Sequence, residues 1–374
     1  MSDASSLYLH IPICLSRCRY CDFASHARLS SELREAYLAA LCREIEALPT
    51  GELETVYFGG GTPSLLTEAE LAAIFCAISH RFRIKPHAEI TLECNPATAS
   101  LEKLRAYRAL GITRLSIGVQ SLSDAELSAL GRAHTADDAR ETYRAARAAG
   151  FESVSVDLMY GLPRQTLESF EKTLTEVLSL APDHLSAYGL ILEEGTPLYA
   201  ARHETVFPSE DEEYAMYRLA VALTRQNGYG HYEISNYAKE GHACRHNLVY
   251  WQRAPYHAVG LSASSFDGSV RRTHSRELSA YLLDPVASFE EVTVLSDADA
   301  AFEELMLGLR LGDGISLDGY AARHGFDPTE RYRTVLSPWI SRGVLFTTDG
   351  RLRLSDEGLY LSSALLTEIL SAEA

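Results

Sequence analysis

Residues 7–23 read Leu7-Tyr8-Leu9-His10-Ile11-Pro12-Ile13-Cys14-Leu15-Ser16-Arg17-Cys18-Arg19-Tyr20-Cys21-Asp22-Phe23. A strand-like run, Leu7 to Pro12, delivers three cysteines spaced C-x3-C-x2-C on one loop. Cluster irons are bound by cysteine sulfur, so three thiolates can hold three irons of a cubic [4Fe-4S] cluster. The fourth iron is then left without a protein ligand and is open to a small molecule. Zinc is the rival reading. A structural zinc site wants four closed ligands; this loop has no fourth cysteine, and His26 is the one nearby candidate.

Working outward, the strand signals continue at 54–60, 89–95, 114–121, 153–160 and 184–192, with helical patterns between them. Leu33, Tyr37, Leu41, Ile45 and Leu48 share one helix face, and Leu71, Ile74, Phe75 and Ile78 another. Thr67 with Glu70 and Ser209 with Glu212 read as capping boxes, while Gly111, Gly150 and Gly228 sit where helices should stop. Six βα units imply a parallel sheet with right-handed crossovers. The expected fold class is therefore α/β, a partial (β/α)6 barrel over residues 1–228. Residues 229–295 read as an extension of that barrel. Residues 296–374 read as a winged-helix-like α+β module, with helices near 297–311, 316–324 and 328–343 and a hairpin turning at Asp349-Gly350.

Buried parallel strands are normally continuous apolar runs, yet these alternate. Leu7, Leu9 and Ile11 alternate with Tyr8 and His10, and Val154, Val156 and Leu158 with Ser155 and Asp157. Successive side chains face opposite ways, so one face packs on helices and the other is polar. An interior lined by Tyr8, Glu93, Gln120 and Asp157 is a cavity for a polar ligand. Parallel-barrel sites lie at the C-terminal strand ends, where Cys14, Glu93, Gln120, Asp157 and the Gly59-Gly60-Gly61-Thr62-Pro63 turn all fall. That turn lacks the Lys-Ser/Thr pair of a P-loop.

The 374 residues suggest roughly two to three domains, with 46% hydrophobic and 23% charged residues, an ordinary globular composition. The net charge of −17 argues against a nucleic-acid partner, because phosphate contacts need clustered Lys and Arg. Neither a signal peptide nor an apolar run long enough for a membrane span is legible. Seven unevenly spaced cysteines do not form a disulfide framework, and a reducing cytoplasm fits best. Cys42 and Cys76 read as small buried hydrophobes on helix faces, and Cys94 as a packed strand end. Cys244, two residues before His246, is harder to dismiss.

C-x3-C-x2-C with an aromatic, Tyr20, before the last cysteine resembles the radical S-adenosylmethionine (SAM) proteins. The longer string of residues 7–23 resembles the HemN and HemW group among them. The resemblance implies that the open iron chelates the amino and carboxylate groups of SAM, and that one electron cleaves the sulfonium to a 5′-deoxyadenosyl radical. It also implies that Gly60, Gly61 and Thr62 contact the methionine amino group, that Tyr8 and Tyr20 flank the cofactor, and that Glu93 lies near its ribose and amino acid portion. Gln120, Arg132 and Asp157 follow the same pattern, Arg132 with a planar fork suited to a carboxylate. Ile191 would offer backbone contacts to adenine.

The resemblance leaves two functions. A HemN-like enzyme is an oxygen-independent coproporphyrinogen III dehydrogenase that decarboxylates two propionates; a HemW-like protein is a heme chaperone that passes heme to haem-protein targets. HemN proteins carry a substantial segment before the cluster cysteines and a further cysteine two residues after the third, where this chain has Phe23. The run Cys244 to Trp251 contains H-N-x-x-Y-W, the mark of the HemW group. His246 is the implied heme-iron ligand, since His is a common axial ligand, with Tyr250 and Trp251 offering flat apolar area. Where that group has Gly-Ala-His-Ser, this chain reads Ser262-Ala263-Ser264-Ser265. The chaperone is the preferred reading. Its implied partners are heme, apo haem-protein acceptors and an electron donor for the cluster. A homodimer and a peripheral contact with membrane haem proteins stay open.

Overall fold

In the computed structural model, which describes residues 4–373, the run Ser6–Ile11 is the first strand (β1) of a nine-stranded sheet. The others are β2 (Gly51–Gly60), β3 (Phe82–Cys94), β4 (Arg114–Gln120), β5 (Ser153–Tyr160), β6 (His184–Gly189), β7 (Gly230–Glu233), β8 (Asn236–Ala238) and β9 (His257–Val259). Their spatial order is β9-β1-β2-β3-β4-β5-β6-β8-β7. All neighbours from β9 through β6 pair in parallel, and β8 and β7 close the far edge antiparallel.

Each of the six sequential parallel strands is followed by helix. These are α1 (Ser31–Ala47), α2 (Glu68–Arg81), α3 (Leu101–Ala109), the pair α4 (Asp124–Leu130) and α5 (Ala136–Ala148), α6 (Leu167–Ser179) and α7 (Glu210–Gln226). The fold is the (β/α)6 type that the alternating pattern implies. Both expected capping boxes form, at Thr67 with Glu70 and Ser209 with Glu212. Alternation does its expected work too. Leu7, Leu9, Ile11, Leu92, Leu115, Ile117, Val154 and Leu158 are wholly buried under the helices, leaving the polar positions to the other face.

Several boundaries differ from the sequence reading. Strand β3 begins at Phe82 instead of residue 89, because Phe82, Arg83 and Ile84 pair with Gly51, Glu52 and Leu53. Pro86, which donates no ladder hydrogen bond, hid that continuation. Strand β6 ends at Gly189, and Leu190 and Leu192 pack instead against a small cluster of Leu130, Met159, Leu162 and Leu198. The buried stripe of α1 starts at Tyr37, with Leu33 exposed at its first turn. Cys76 is exposed, its sulfur 3.7 Å from His80 Nε2 one turn on, and Cys42 is only half-buried. Neither is the fully buried hydrophobe that the helix pattern predicts. Cys94 is buried as expected.

The segment after β9 is tied down by a buried carboxylate. Glu44 of α1 accepts hydrogen bonds from Gly260 N (2.9 Å) and the Tyr281 hydroxyl (2.6 Å), and pairs with His274 Nε2 at 2.7 Å. The C-terminal module has its own core, including Leu305, Tyr320, Leu336, Leu345, Leu352 and Leu365. Its expected helix over 328–343 is split into Pro328–Arg331 and Arg333–Ser341. Its hairpin, Leu345–Thr348 with Arg351–Leu354, turns on Asp349 and Gly350, both at positive φ as a tight two-residue turn requires. Among the described residues no helix is long and apolar enough to cross a membrane.

Candidate functional site

A cavity of about 620 Å³ opens at the C-terminal ends of the parallel strands. Cys14, Cys18 and Cys21 line one wall, facing Gly60, Gly61 and Thr62 from the turn after β2. The cysteine loop is clamped by its backbone: Ile13 and Cys14 bridge to His26 and Ala27, with His26 N donating to Pro12 O at 2.7 Å. His26 therefore serves the loop through its main chain. The glycines are needed for close approach. Gly60 has φ +106°, and a Cβ there would meet the His10 ring at 2.6 Å. A Cβ on Gly61 would fall 2.8 Å from Ile13 O and 3.0 Å from Cys14 Sγ. Thr62 Oγ1 lies 3.6 Å from Cys14 Sγ. Burial pushes the Cys14 and Cys21 thiols above their usual range.

Glu93 stands at the end of β3. It accepts hydrogen bonds from the Tyr57 hydroxyl (2.9 Å) and from Gly60 N (3.1 Å). Burial first, then the nearby Asp157, pushes its carboxyl up to about 7. Asp157 is raised by burial too, and accepts from Ser186 (2.8 Å), Ser116 (3.1 Å) and Ser155 (3.2 Å). Arg132 donates through Nη2 to Asn95 Oδ1 (2.8 Å) and Gly118 O (2.6 Å), while Nη1 lies 3.6 Å from Cys18 Sγ. Its Nε is buried without a partner. Gln120 ends β4 at φ +65° and accepts from the Tyr188 hydroxyl at 2.9 Å. Tyr20 lines the cavity while packing on the cluster around Leu130 and Met159. Ile191 sits exposed on the rim.

Two expected residues are placed differently. Tyr8 lines an adjoining cavity of about 340 Å³, together with Tyr250, Tyr256 and Ser264, and Asp22 and Phe23 line both. Tyr57, stacked on it at 6.1 Å, takes the position on the large cavity's wall. His246 is buried, with Nδ1 2.7 Å from Thr55 Oγ1 and Nε2 2.8 Å from the Tyr250 hydroxyl. It stacks on Tyr57, and burial lowers its pKa to about 3. From the same motif, Asn247 is the residue that reaches the large cavity. Cys244 is buried and donates its thiol to Glu89 Oε1 at 3.4 Å. Tyr57, Asn95, Arg114, Ser116, Ser186 and Tyr188 also line the large cavity, and none was singled out from the sequence. For Tyr57 and Ser116 the signal was present, because both occupy the polar phase of alternating strands.

Residues 8–177 match the Radical SAM superfamily, and residues 295–361 match the HemN C-terminal domain. A Lactococcus lactis protein named heme chaperone HemW is 31% identical over 99% of this chain and 98% of its own length. A Bacillus subtilis protein of the same name is 32% identical, covering 98% of this chain and 99% of its own. Among solved structures, coproporphyrinogen III oxidase (HemN) from Escherichia coli superposes with a TM-score of 0.83 at 23% identity, over 97% of this chain and 89% of that one. At that identity the likeness shows the fold alone.

The parallel sheet, the three-cysteine loop and the matched N-terminal region define a radical SAM protein. Within that class, the chain belongs to the HemN/HemW family, on the side of its full-length relatives named heme chaperone HemW. The cofactors of radical SAM proteins are a [4Fe-4S] cluster and SAM, and the cavity fits them. It offers three sulfurs on one wall, a glycine turn packed so closely on His10 and the cysteine loop that no side chain fits there, and an arginine with an unpartnered buried Nε. Among the described residues no group of three or more His, Cys, Asp or Glu side chains converges as a single-ion site. A cluster asks something different, since each cysteine takes its own iron.

Proposed function

We propose that this protein is a cytoplasmic heme chaperone. Cys14, Cys18 and Cys21 hold the cluster, which supplies an open iron for SAM and an electron from an external donor. Gly60, Gly61 and Thr62 cradle the methionine end of SAM by their backbone. Glu93 fixes that turn through Gly60 N, and Arg132 braces the same turn through Asn95, which donates to Thr62 Oγ1. Gln120, Asp157 and Ile191 complete the cofactor surface, with Tyr20 flanking it. Heme is received from solvent and passed to an apo haem-protein acceptor. The C-terminal module, which mixes Arg331, Arg333 and Arg342 with Asp318, Asp327 and Asp349, serves docking or packing.

The observation that carries this reading is the convergence of the three cysteines, the glycine turn, Glu93, Arg132 and Asp157 on one cavity, in a chain whose full-length relatives bear the chaperone name. His246 remains the proposed iron ligand of the H-N-x-x-Y-W motif. It can serve only if one ring nitrogen is released, Nε2 by the Tyr250 hydroxyl or Nδ1 by Thr55. Anaerobic cluster reconstitution, followed by parallel hemin titration and coproporphyrinogen III conversion, tests the proposal. A saturable Soret shift without conversion supports it. Conversion well above a Cys18→Ala control moves the protein to the dehydrogenase class.

A further inference from the structure

The cavity also holds a guanidinium far from the cysteines. Arg114 opens β4 and is only 3% exposed, yet it lines the same cavity. Its Nε has no hydrogen-bond partner. Nearby Glu89 stabilises its charge, yet among the described residues no carboxylate is hydrogen-bonded to it. Glu89 accepts from Cys244 Sγ, Arg245 N and His246 N, capping the helix Arg245–Trp251, and Asp157 is held by three serines. The neighbouring His184 has both ring nitrogens engaged, by Ser155 at 2.8 Å and Tyr232 at 2.7 Å. Leaving a buried charge without a hydrogen-bonded counterion is costly, and a planar guanidinium is matched to a carboxylate.

Position separates this group from the SAM surface. Gly118, whose carbonyl anchors Arg132, lies four residues further along β4, roughly 13 Å away at the rise of a strand. The SAM carboxylate is assigned to the open iron at the strand ends. Arg114 sits at the opposite, N-terminal end of its strand, on the cavity floor.

We propose that Arg114 forms a carboxylate subsite at the floor of the barrel, which receives a propionate arm of the tetrapyrrole. This rests on the heme reading above and adds an anchor to it. An arm seated there fixes the macrocycle's orientation, and leaves its metal and faces to other groups.

The test titrates hemin and hemin dimethyl ester into the full chain, for the natural protein and for Arg114→Gln and Arg114→Lys. The natural protein should bind hemin at least about tenfold more tightly than the ester, as charged hydrogen bonds imply. Arg114→Gln should weaken hemin binding to the level of the ester and leave the ester unchanged, with Arg114→Lys between. Equal binding of hemin and ester by the natural protein overturns the subsite without any variant, so a folding defect cannot shelter it. Unchanged hemin affinity in Arg114→Gln overturns it as well. If the natural protein binds no hemin at all, the heme reading and the subsite fall together; in the two preceding outcomes only the subsite falls.

Discussion

Glu93 accepts a hydrogen bond from the backbone N–H of Gly60 at 3.1 Å, so the carboxylate of one strand end shapes the glycine turn that follows another. The same carboxyl is pushed up to about 7, chiefly by burial. It is therefore largely neutral below that pH and ionised above it. A raised carboxyl pKa stabilises the folded chain fully below the unfolded value near 4.5, and that contribution is lost as pH rises through about 7. SAM carries a sulfonium cation, which the ionised form favours. Calorimetry on cluster-loaded protein should show weaker SAM binding at pH 6 than at pH 8. Glu93→Gln should bind SAM weakly and lose that pH dependence. A flat profile in the natural protein would remove Glu93 from the SAM surface.

Cys14, Cys18 and Cys21 lie on a loop outside the main core, so replacing them should cost iron before it costs fold. Each Cys→Ala variant should drop from about four irons per chain to near zero, with unchanged far-UV circular dichroism. The reduced protein's EPR signal, and its perturbation by SAM, should vanish together. Retention of iron in any of the three variants would displace that cysteine from the ligand set.

Glu44 and His274 are 4% and 3% exposed. Glu44→Ala would strand His274 and leave Gly260 N and the Tyr281 hydroxyl without their acceptor. Removing one partner of such a pair costs about 3–5 kcal/mol. Urea denaturation should show a loss of that order. A loss below about 1 kcal/mol, the range of exposed pairs, would show that the segment after β9 is held by other contacts.

The alternation of strands was the most legible feature of the sequence, because the period of two states directly which side chains face the cavity. It pointed Glu93, Gln120 and Asp157 toward the face that lines the large cavity, and the glycine turn followed from its position after a strand. The environment of His246 was not legible. It depends on Thr55, 191 residues away in the chain, and on the stacking of Tyr57. No local pattern carries that pairing, so an imidazole beside two aromatics read as exposed to a ligand. Tyr8 faces as the alternation says, but it lines the smaller cavity while Tyr57, stacked on it from the neighbouring strand, lines the large one. Arg114 carries no sequence signal, because a basic residue at the start of a strand is ordinary and only the fold buries it with an unpartnered Nε.

His246 offers a sharper test than simple deletion, since the Tyr250 hydroxyl occupies Nε2. Tyr250→Phe frees that nitrogen and should tighten hemin binding, or shift the Soret band toward stronger imidazole ligation. His246→Ala should weaken binding while leaving the cluster signal intact. If neither variant changes the heme spectrum, the histidine holds Thr55 and Tyr57 in place and has no part in ligation.

Heme delivery itself is the central claim, and transfer kinetics test it most directly. Anaerobic, cluster-loaded protein carrying SAM and hemin is mixed with an apo haem-protein, and the acceptor's Soret band is followed. Acceptor filling faster than the spontaneous release of hemin from this protein, and dependent on acceptor concentration, is the expected result. Filling no faster than the spontaneous release of hemin from this protein would contradict the chaperone account.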